Sequence, residues 1–327
     1  MPSQASPNDA LHAALAKVAP GTALRDGIDR VVRAKMGALL VLGDDPAVLS
    51  ICSGGFLLDT QYTPPRLSEL AKMDGAIIIS TDGTRIARAN VHLVPDPNVP
   101  THETGTRHRT AERVALSLGV PVVSVSEEMS VINVYAGGMK RQLHDIGSLL
   151  ERANQALQTL ERYKTKLDDA TSALTALEIE DVVTVRDVAA VVQRGEMVRQ
   201  IAAEIETMII ELGVDARLLR LQLEEVFTSL DDELDLVLAD YPSIADDHTI
   251  DGDAPASPKG LRLLARVPRL SDEHAAAITG HFGELPKLLR ATADEIAKVP
   301  GIEAKLAHAV KDTLDRLTES AILDQYI

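Results

Sequence analysis

From Ala153 onward an apolar repeat of seven is sustained. One column holds Ala153, Leu160, Leu167 and Leu174, the other Ala156, Tyr163, Ala170 and Leu177. Such spacing over about four heptads predicts one long helix with a coiled-coil-like seam. Thr184 and Asp187 resemble a capping box that opens a second helix ending near Gly213. Asp215 caps a third helix reaching to about residue 239, where Tyr241-Pro242 stops it. Residues 150–245 therefore read as an all-α spine, a structural spacer more than a catalytic unit. The 327 residues, at about 150 per domain, suggest two domains or three in all.

Charge follows the same division. Of the net −16, residues 1–149 carry −1 and residues 150–258 carry −15, while residues 259–327 balance and Lys259 to Lys311 reaches +3. The acidic middle reads as a solvated helical surface. An acidic whole does not exclude nucleic acid, because a local basic face is what matters there. Hydrophobic residues at 45% and charged residues at 25% exclude a mainly disordered chain. Aromatics are 2%, so the core must come from Leu, Val, Ile and Ala. The apolar runs 37–42 and 76–79 fall far short of the ~18 residues of a membrane helix. Met1-Pro2-Ser3-Gln4 shows no basic region before an apolar one, so a cytoplasmic protein with no membrane contact is expected. A lone Cys52 excludes an intrachain disulfide and a cysteine zinc site, and reads as a small buried hydrophobe. His92, His102 and His144 lack zinc-ligand spacing.

Residues 1–149 read as α/β. Helices are expected over 9–17 and 23–34, parted by Pro20-Gly21. Residues 37–42 and 48–52 read as a hairpin around Gly43-Asp44-Asp45-Pro46, with Ser53-Gly54-Gly55-Phe56 as a glycine loop after it. A short helix over 67–73, strands over 76–80 and 85–90, a helix over 106–118 ending at Gly119, and strands over 120–125 and 131–135 follow. The fold expected is a mixed sheet flanked by helices. Residues 246–258, rich in Asp, Gly, Pro and Ser, read as a linker. Residues 259–327 read as an all-α tail with two proline turns, Val267-Pro268-Arg269-Leu270 and Val299-Pro300-Gly301-Ile302.

Three stretches carry chemistry. In Met73-Asp74-Gly75-Ala76 a carboxylate stands just before a buried strand, with a glycine that permits close approach. That position suits a metal-binding carboxylate, although alone it reads as a turn leading into a strand. In Gly105-Thr106-Arg107-His108-Arg109-Thr110, hydroxyls, guanidinium groups and an imidazole crowd a helix start. Free N–H groups and positive potential there suit a phosphate, and arginines add forked donors. Basic residues oppose the helix dipole at that end, which disfavours a merely solvated first turn. No Walker loop is present. Ser126-Glu127-Glu128 follows a strand, where a carboxylate could meet a metal or a hydroxyl; alone it reads as a charged loop.

In this order and spacing, Asp74-Gly75-Ala76, Gly105-Thr106-Arg107-His108-Arg109-Thr110 and Ser126-Glu127 resemble the diadenylate cyclase domain. The layout of that domain, a helical spine and a tail with helix-hairpin-helix turns resembles the bacterial DNA integrity scanning family over essentially the whole chain. The resemblance implies condensation of two ATP to cyclic di-3′,5′-adenylate with loss of two pyrophosphates. It implies that Asp74 binds Mg2+ or Mn2+ and helps activate the 3′-hydroxyl, and that Thr106, Arg107, His108, Arg109 and Thr110 hold phosphate oxygens. It places Gly75 at the sugar, Ser126 and Glu127 at the phosphate or metal, and Ala76 and Leu93 among the ATP contacts. It implies facing cyclase domains in a homo-octamer, since each chain holds one ATP.

The tail resembles tandem helix-hairpin-helix units that offer backbone N–H groups to DNA phosphates, reading shape over sequence. Branched, Holliday-junction-like DNA is the partner implied, with Arg269, Val299, Gly301 and Lys305 as contacts. Glu303 stands where the second glycine is usual and would repel a phosphate; the first turn lacks both glycines but carries Arg269. A non-catalytic DNA-damage scaffold with a nucleotide-sensing domain is the alternative from another class, and a tail that serves only assembly is a third.

Overall fold

The computed structural model describes residues 6–227, 230–242, 244 and 251–324. They fall into two compact units. One combines Met1–Gln155 with Glu204–Gln222, and the other combines Ala156–Ala203 with Leu223–Ile327.

The first unit opens with α1 (Pro7–Lys17), where Ser6 and Asp9 form a reciprocal capping box, and α2 (Ala23–Arg33). Strand β1 (Ala38–Leu42) follows, but the expected hairpin does not. Residues 46–50 are instead a short helix, α3 (Pro46–Ser50), because Asp45 accepts from the Val48 N–H at 3.0 Å and Pro46 takes the first helical position. Asp-Pro before an apolar run is a helix start, and here it outweighs the apolar character of Val48 to Cys52. Next come β2 (Cys52–Ser53), β3 (Phe56–Gln61), α4 (Pro64–Leu70), β4 (Ala76–Ile79), β5 (Arg85–Leu93) and α5 (Thr106–Leu118). The sheet is completed by β6 (Val122–Val125), β7 (Ile132–Ala136) and β8 (Met139–Gln142).

The strand order is β2-β5-β4-β1-β6-β7-β8, with β3 also paired to β5. It is a mixed sheet: β1 runs parallel to β4 and antiparallel to β6. Every residue of β1 is buried. Leu40 and Leu42 pack with α1, α2 and α4 on one face, and Leu39 and Val41 with α3 and α5 on the other. Strands β3 and β8 were not expected. Phe56 and Leu57 of β3 are exposed, and β8 reads Met-Lys-Arg-Gln; both strands alternate between half-buried and exposed positions and neither holds a fully buried one. Gly137 and Gly138, both at positive φ, make the tight turn from β7 to β8.

The spine consists of α6 (Ile146–Glu180), α7 (Val185–Leu212), a 3-10 turn (Gly213–Ala216), α8 (Arg217–Phe227) and α9 (Leu230–Asp240). Asp215 therefore lies inside a turn and does not cap α8. Thr184 and Asp187 do meet, the Thr184 N–H and hydroxyl both donating to the carboxylate. In α6 the first apolar column is buried as expected, at Ala153, Leu160, Leu167 and Leu174. The second is displaced by one residue: Leu157 and Glu178 are buried, while Ala156, Tyr163, Ala170 and Leu177 are only half-buried. The buried stripe therefore keeps heptad spacing, with steps of four and three inside a period of seven, and the seam is present with its second column one residue later than read.

Of the expected linker, residues 246–250 lie outside the described residues. The remainder is pinned in the second unit: Val185 and Arg186 donate to Ala254 and Gly252, and Ala256 donates back to Val183. The tail holds α10 (Leu261–Leu264), α11 (Asp272–Phe282), α12 (Leu285–Arg290), α13 (Ala293–Ile296) and α14 (Ala304–Asp324). Its two proline turns share one backbone. Val267 donates to Leu264 and Leu270 to Val267; Val299 donates to Ile296 and Ile302 to Val299. Arg269 and Gly301 both take positive φ, at 66° and 89°. For Arg269 that conformation costs about 1–2 kcal/mol, which glycine at 301 avoids.

A buried polar joint ties the start of the tail to α6 and α9. Asp240 accepts from the N–H groups of Gly260, Leu261 and Arg262 at 2.7, 2.7 and 2.9 Å. Glu178 Oε1 accepts from Arg262 Nη1 at 2.5 Å and from the Tyr241 hydroxyl at 2.7 Å. Burial pushes the carboxyls of Glu178 and Asp240 above the usual range, outweighing Arg262 beside Glu178 and the three N–H donors at Asp240.

Candidate active site

Sheet register gathers the chemistry-bearing residues. Leu39 of β1 pairs with Ala76 of β4, so Gly37 and Asp74 precede their strands at the same sheet edge. Ala38 pairs with Val125, which brings the end of β6, and with it Ser126 and Glu127, to that edge. Ala76 pairs with Val91, which brings the end of β5 there too.

Helix α5 begins over this edge. Its N-cap is Gly105, which supplies no side-chain cap, so none of the first-turn N–H groups is taken by a capping side chain. Arg107, half-buried, reaches back across Gly37: a Cβ there would lie 2.1 Å from Arg107 Nη1. Its Nη2 comes within 3.9 Å of Asp74 Oδ1, while the Asp74 side chain is wholly exposed. Gly75 has φ +144°, and a Cβ on it would fall 2.8 Å from the backbone of Asn90. Asn90 is itself at positive φ, and the β4–β5 register shifts just beyond it. Asp74 is thus presented by a backbone that only glycine at 75 can follow.

Arg109 is exposed, and among the described residues no carboxylate pairs with it. Thr110 donates its hydroxyl to the Thr106 carbonyl. Ser126 Oγ accepts from the Met129 N–H at 3.4 Å, and Glu127 is exposed. Ala76 and Leu93 are buried at 2% and 5%, so a ligand would meet their backbone more than their side chains. The Ser53-Gly54-Gly55-Phe56 loop also reaches this edge, since a Cβ on Gly55 would fall 2.8 Å from the Asn90 carbonyl oxygen.

His108 points into the sheet. Its Nδ1 lies 2.7 Å from Ser124 Oγ and 3.3 Å from the Tyr135 hydroxyl. Tyr135 donates to Glu103 Oε1 at 3.2 Å, and Lys140 Nζ is 2.5 Å from the same oxygen. Burial lowers the imidazole pKa, with Lys140 and Arg107 adding to the effect against the pull of Glu103. Burial also raises the Tyr135 hydroxyl. Partial burial opposes ionisation of Glu103, but the bond and charge of Lys140 hold its carboxyl below the usual range. Gly37, Asn90, Glu103, Ser124, Tyr135 and Lys140 were not anticipated from sequence. The one available signal was a serine in the otherwise apolar Val122-Val123-Ser124-Val125.

No group of three or more His, Cys, Asp or Glu side chains that could hold a metal occurs among the described residues. Asp74 alone offers an open carboxylate at the edge, which fits a hard cation completed by phosphate oxygens and water. In the tail, Arg269, Gly301 and Lys305 are exposed. Val299 is buried and its N–H is bonded to Ile296. No described helix is long and apolar enough to cross a membrane.

Residues 25–140 match the DisA bacterial checkpoint controller nucleotide-binding family, and residues 143–280 match the DisA bacterial checkpoint controller linker region. The chain is 47% identical over 97% of its length to the DNA integrity scanning protein DisA of Streptomyces avermitilis, covering 94% of that protein. It is 48% identical to that of Acidothermus cellulolyticus, over 98% of this chain and 96% of the other. A solved structure of Staphylococcus aureus DacA, a double mutant, aligns with 40% of this chain and 85% of its own at 26% identity and a TM-score of 0.31. With two family regions covering most of the chain and near-half identity from end to end, the chain belongs to the DisA family of bacterial checkpoint controllers.

Proposed function

We propose that the chain is a diadenylate cyclase, condensing two ATP into cyclic di-3′,5′-adenylate (c-di-AMP) and two pyrophosphates. The observation that carries this reading is Arg107 laid across Gly37 to Asp74, which sets a phosphate-binding helix start beside an open carboxylate. In the reaction, the 3′-hydroxyl oxygen of each nucleotide bonds to the α-phosphorus of the other. The bond from that phosphorus to the β-phosphate bridging oxygen breaks, pyrophosphate leaves with the electron pair, and the hydroxyl gives up its proton. Two such steps close the ring.

The first-turn N–H groups of α5, the guanidinium groups of Arg107 and Arg109, and Thr106 and Thr110 hold phosphate oxygens. His108 contributes Nε2, its Nδ1 being occupied by Ser124. Ala76 and Leu93 supply backbone at the nucleotide, Gly75 lets the sugar approach, and Ser126 and Glu127 border the phosphates. Asp74 would hold Mg2+ or Mn2+ and draws the 3′-hydroxyl proton. When bound, the ion screens the triphosphate and polarises the phosphorus. Catalysis is then mostly positioning and charge stabilisation.

The site lies open at a sheet edge, with Asp74 wholly exposed, and one chain binds one ATP. Two chains must face one another to react them, within a homo-octamer in the cytoplasm. The tail binds branched, Holliday-junction-like DNA through the exposed turns carrying Arg269 and Gly301, with Lys305 beside them; Val299 serves by shaping its turn. This DNA contact regulates the cyclase. Incubation with ATP and Mg2+ or Mn2+, followed by mass spectrometry, tests the activity. Appearance of c-di-AMP supports it, and unreacted ATP would leave a nucleotide-sensing scaffold.

A further inference from the structure

Ser124 is fully buried in the apolar strand β6, and its hydroxyl meets His108 Nδ1 at 2.7 Å. We infer that Ser124 is a positioning residue: it donates its hydroxyl hydrogen to Nδ1 and so keeps the single proton of His108 on Nε2, the nitrogen offered to phosphate. The inference deepens the cyclase reading and rests on it for the role of His108 at a phosphate.

The need for a hydrogen at the phosphate sets this direction, and the hydroxyls around Nδ1 permit it. The Tyr135 hydroxyl hydrogen is directed to Glu103, whose carboxylate also faces Lys140, so Tyr135 has no hydrogen to give His108. Ser124 is then the side-chain hydroxyl that can donate to Nδ1. With its ring nitrogen so occupied, a neutral imidazole presents an N–H and no lone pair at Nε2. A phosphate oxygen needs that donor, and the reverse tautomer would set lone pair against lone pair. The charged and titratable groups around the ring are Arg107 on its own helix, Glu103 from the preceding loop, and Tyr135 and Lys140 from β7 and β8. Burial, with Lys140 and Arg107, disfavours a second proton, so wild-type His108 relies on its tautomer and not on charge.

The test is the affinity for 3′-deoxy-ATP, which lacks the attacking hydroxyl and stays intact, measured with full-length protein at pH 7.5 and pH 6.0. Ser124→Ala should weaken binding about tenfold at pH 7.5, because the proton then settles on Nδ1, where the Tyr135 oxygen 3.3 Å away accepts it, and only about a tenth of the molecules keep it on Nε2. At pH 6.0 the variant should regain part of the loss relative to wild type, since protonation, though opposed by burial and the two cations, restores a hydrogen on Nε2 in a fraction of the molecules. Ser124→Thr, which keeps the hydroxyl, should bind within about twofold of wild type. If Ser124→Ala misfolds, Ser124→Cys, of similar size with a weak donor, should show the same acid-reversed loss. Binding by Ser124→Ala within twofold of wild type at pH 7.5, or a loss that pH 6.0 leaves unchanged, overturns the inference. Failure of the wild type itself to bind 3′-deoxy-ATP overturns the phosphate-site reading instead.

Discussion

Arg262→Ala removes the cation from a buried joint. Arg262 and Glu178 have side chains only 8% and 1% exposed, and Glu178 Oε2 already lacks a partner. In the variant the Tyr241 hydroxyl would still donate to Oε1, but a buried carboxylate would face no positive charge. Breaking such a pair from one side costs about 3–5 kcal/mol. At about 1.4 kcal/mol per factor of ten, local opening should increase by on the order of 10² to a few times 10³. Amide exchange at Gly260, Leu261 and Arg262, whose N–H groups bond Asp240, reads that opening directly. Arg262→Met with Glu178→Met should recover much of the loss, because an apolar pair of similar volume is often neutral. Recovery should be incomplete, since Tyr241 would lose its acceptor, worth about 1–3 kcal/mol. The pH dependence has a defined sign. Burial raises the Glu178 carboxyl above its unfolded value, and removing Arg262 raises it further. The folded state then takes up a proton more readily than the unfolded one, so the defect should be largest at neutral pH and shrink as pH falls toward 5. An increase in exchange of less than about tenfold at pH 7, or a double variant as open as the single one, would show that the joint is not electrostatically closed.

Asp74→Asn should lower c-di-AMP formation more than tenfold with an unchanged melting curve, because its side chain is wholly exposed and touches only Arg107 at 3.9 Å; turnover above a tenth of wild type rejects the metal assignment. Gly37→Ala should also depress turnover while the fold survives, since the new methyl displaces the flexible end of Arg107 and no backbone; unchanged ATP kinetics would mean that Arg107 is not needed where it lies. Arg107→Ala with Arg109→Ala should weaken ATP binding and leave the gel shift of a four-way junction intact; equal loss of both would show that the two sites are not separate. Arg269→Glu with Lys305→Glu should abolish the junction shift and flatten its salt dependence while c-di-AMP synthesis continues; a retained shift removes these turns from the DNA contact.

Local chemistry made part of this molecule legible before its fold. Helix α5 runs from Thr106 to Leu118 as read, because a glycine at each end and an apolar period between them leave one solution. The motif residues Asp74, Arg107 and Ser126 were also legible, but why they meet was not. That depends on β1 pairing parallel with β4 and antiparallel with β6, a long-range choice that no short window encodes. The hairpin assigned to 37–52 fails for the same reason, since the partners of β1 lie about 40 and 80 residues away. Strands β3 and β8 alternate only between half-buried and exposed positions, so no run of buried apolar residues announces them. The shifted stripe of α6 has another cause. Ala156, Tyr163 and Leu177 are apolar and keep a period of seven, yet the helix buries Glu178 beside Arg262, a pairing that hydrophobicity alone argues against.

That buried pair bears on how the tail can be separated from the rest. Composition alone makes residues 246–258 a place to cut, and deletion from Pro258 onward the natural test of DNA binding. The structure makes that deletion a compound lesion. It removes Arg262 from Glu178 and three N–H donors from Asp240, leaving two buried carboxylates in the spine with no cation, and only the Tyr241 hydroxyl still bonded to one of them. Residues 252–256 would remain hydrogen-bonded along 183–186 and hold the cut end against α7. A truncated chain that lost activity would therefore report on a damaged spine as readily as on missing DNA contact. Truncation combined with Glu178→Gln and Asp240→Asn removes the buried charges together with their partners. If this triple change restores stability and c-di-AMP synthesis to the truncated chain, the tail is dispensable for catalysis and its loss acts through the joint. If synthesis stays absent in a stable spine, the tail takes part in assembling the facing sites.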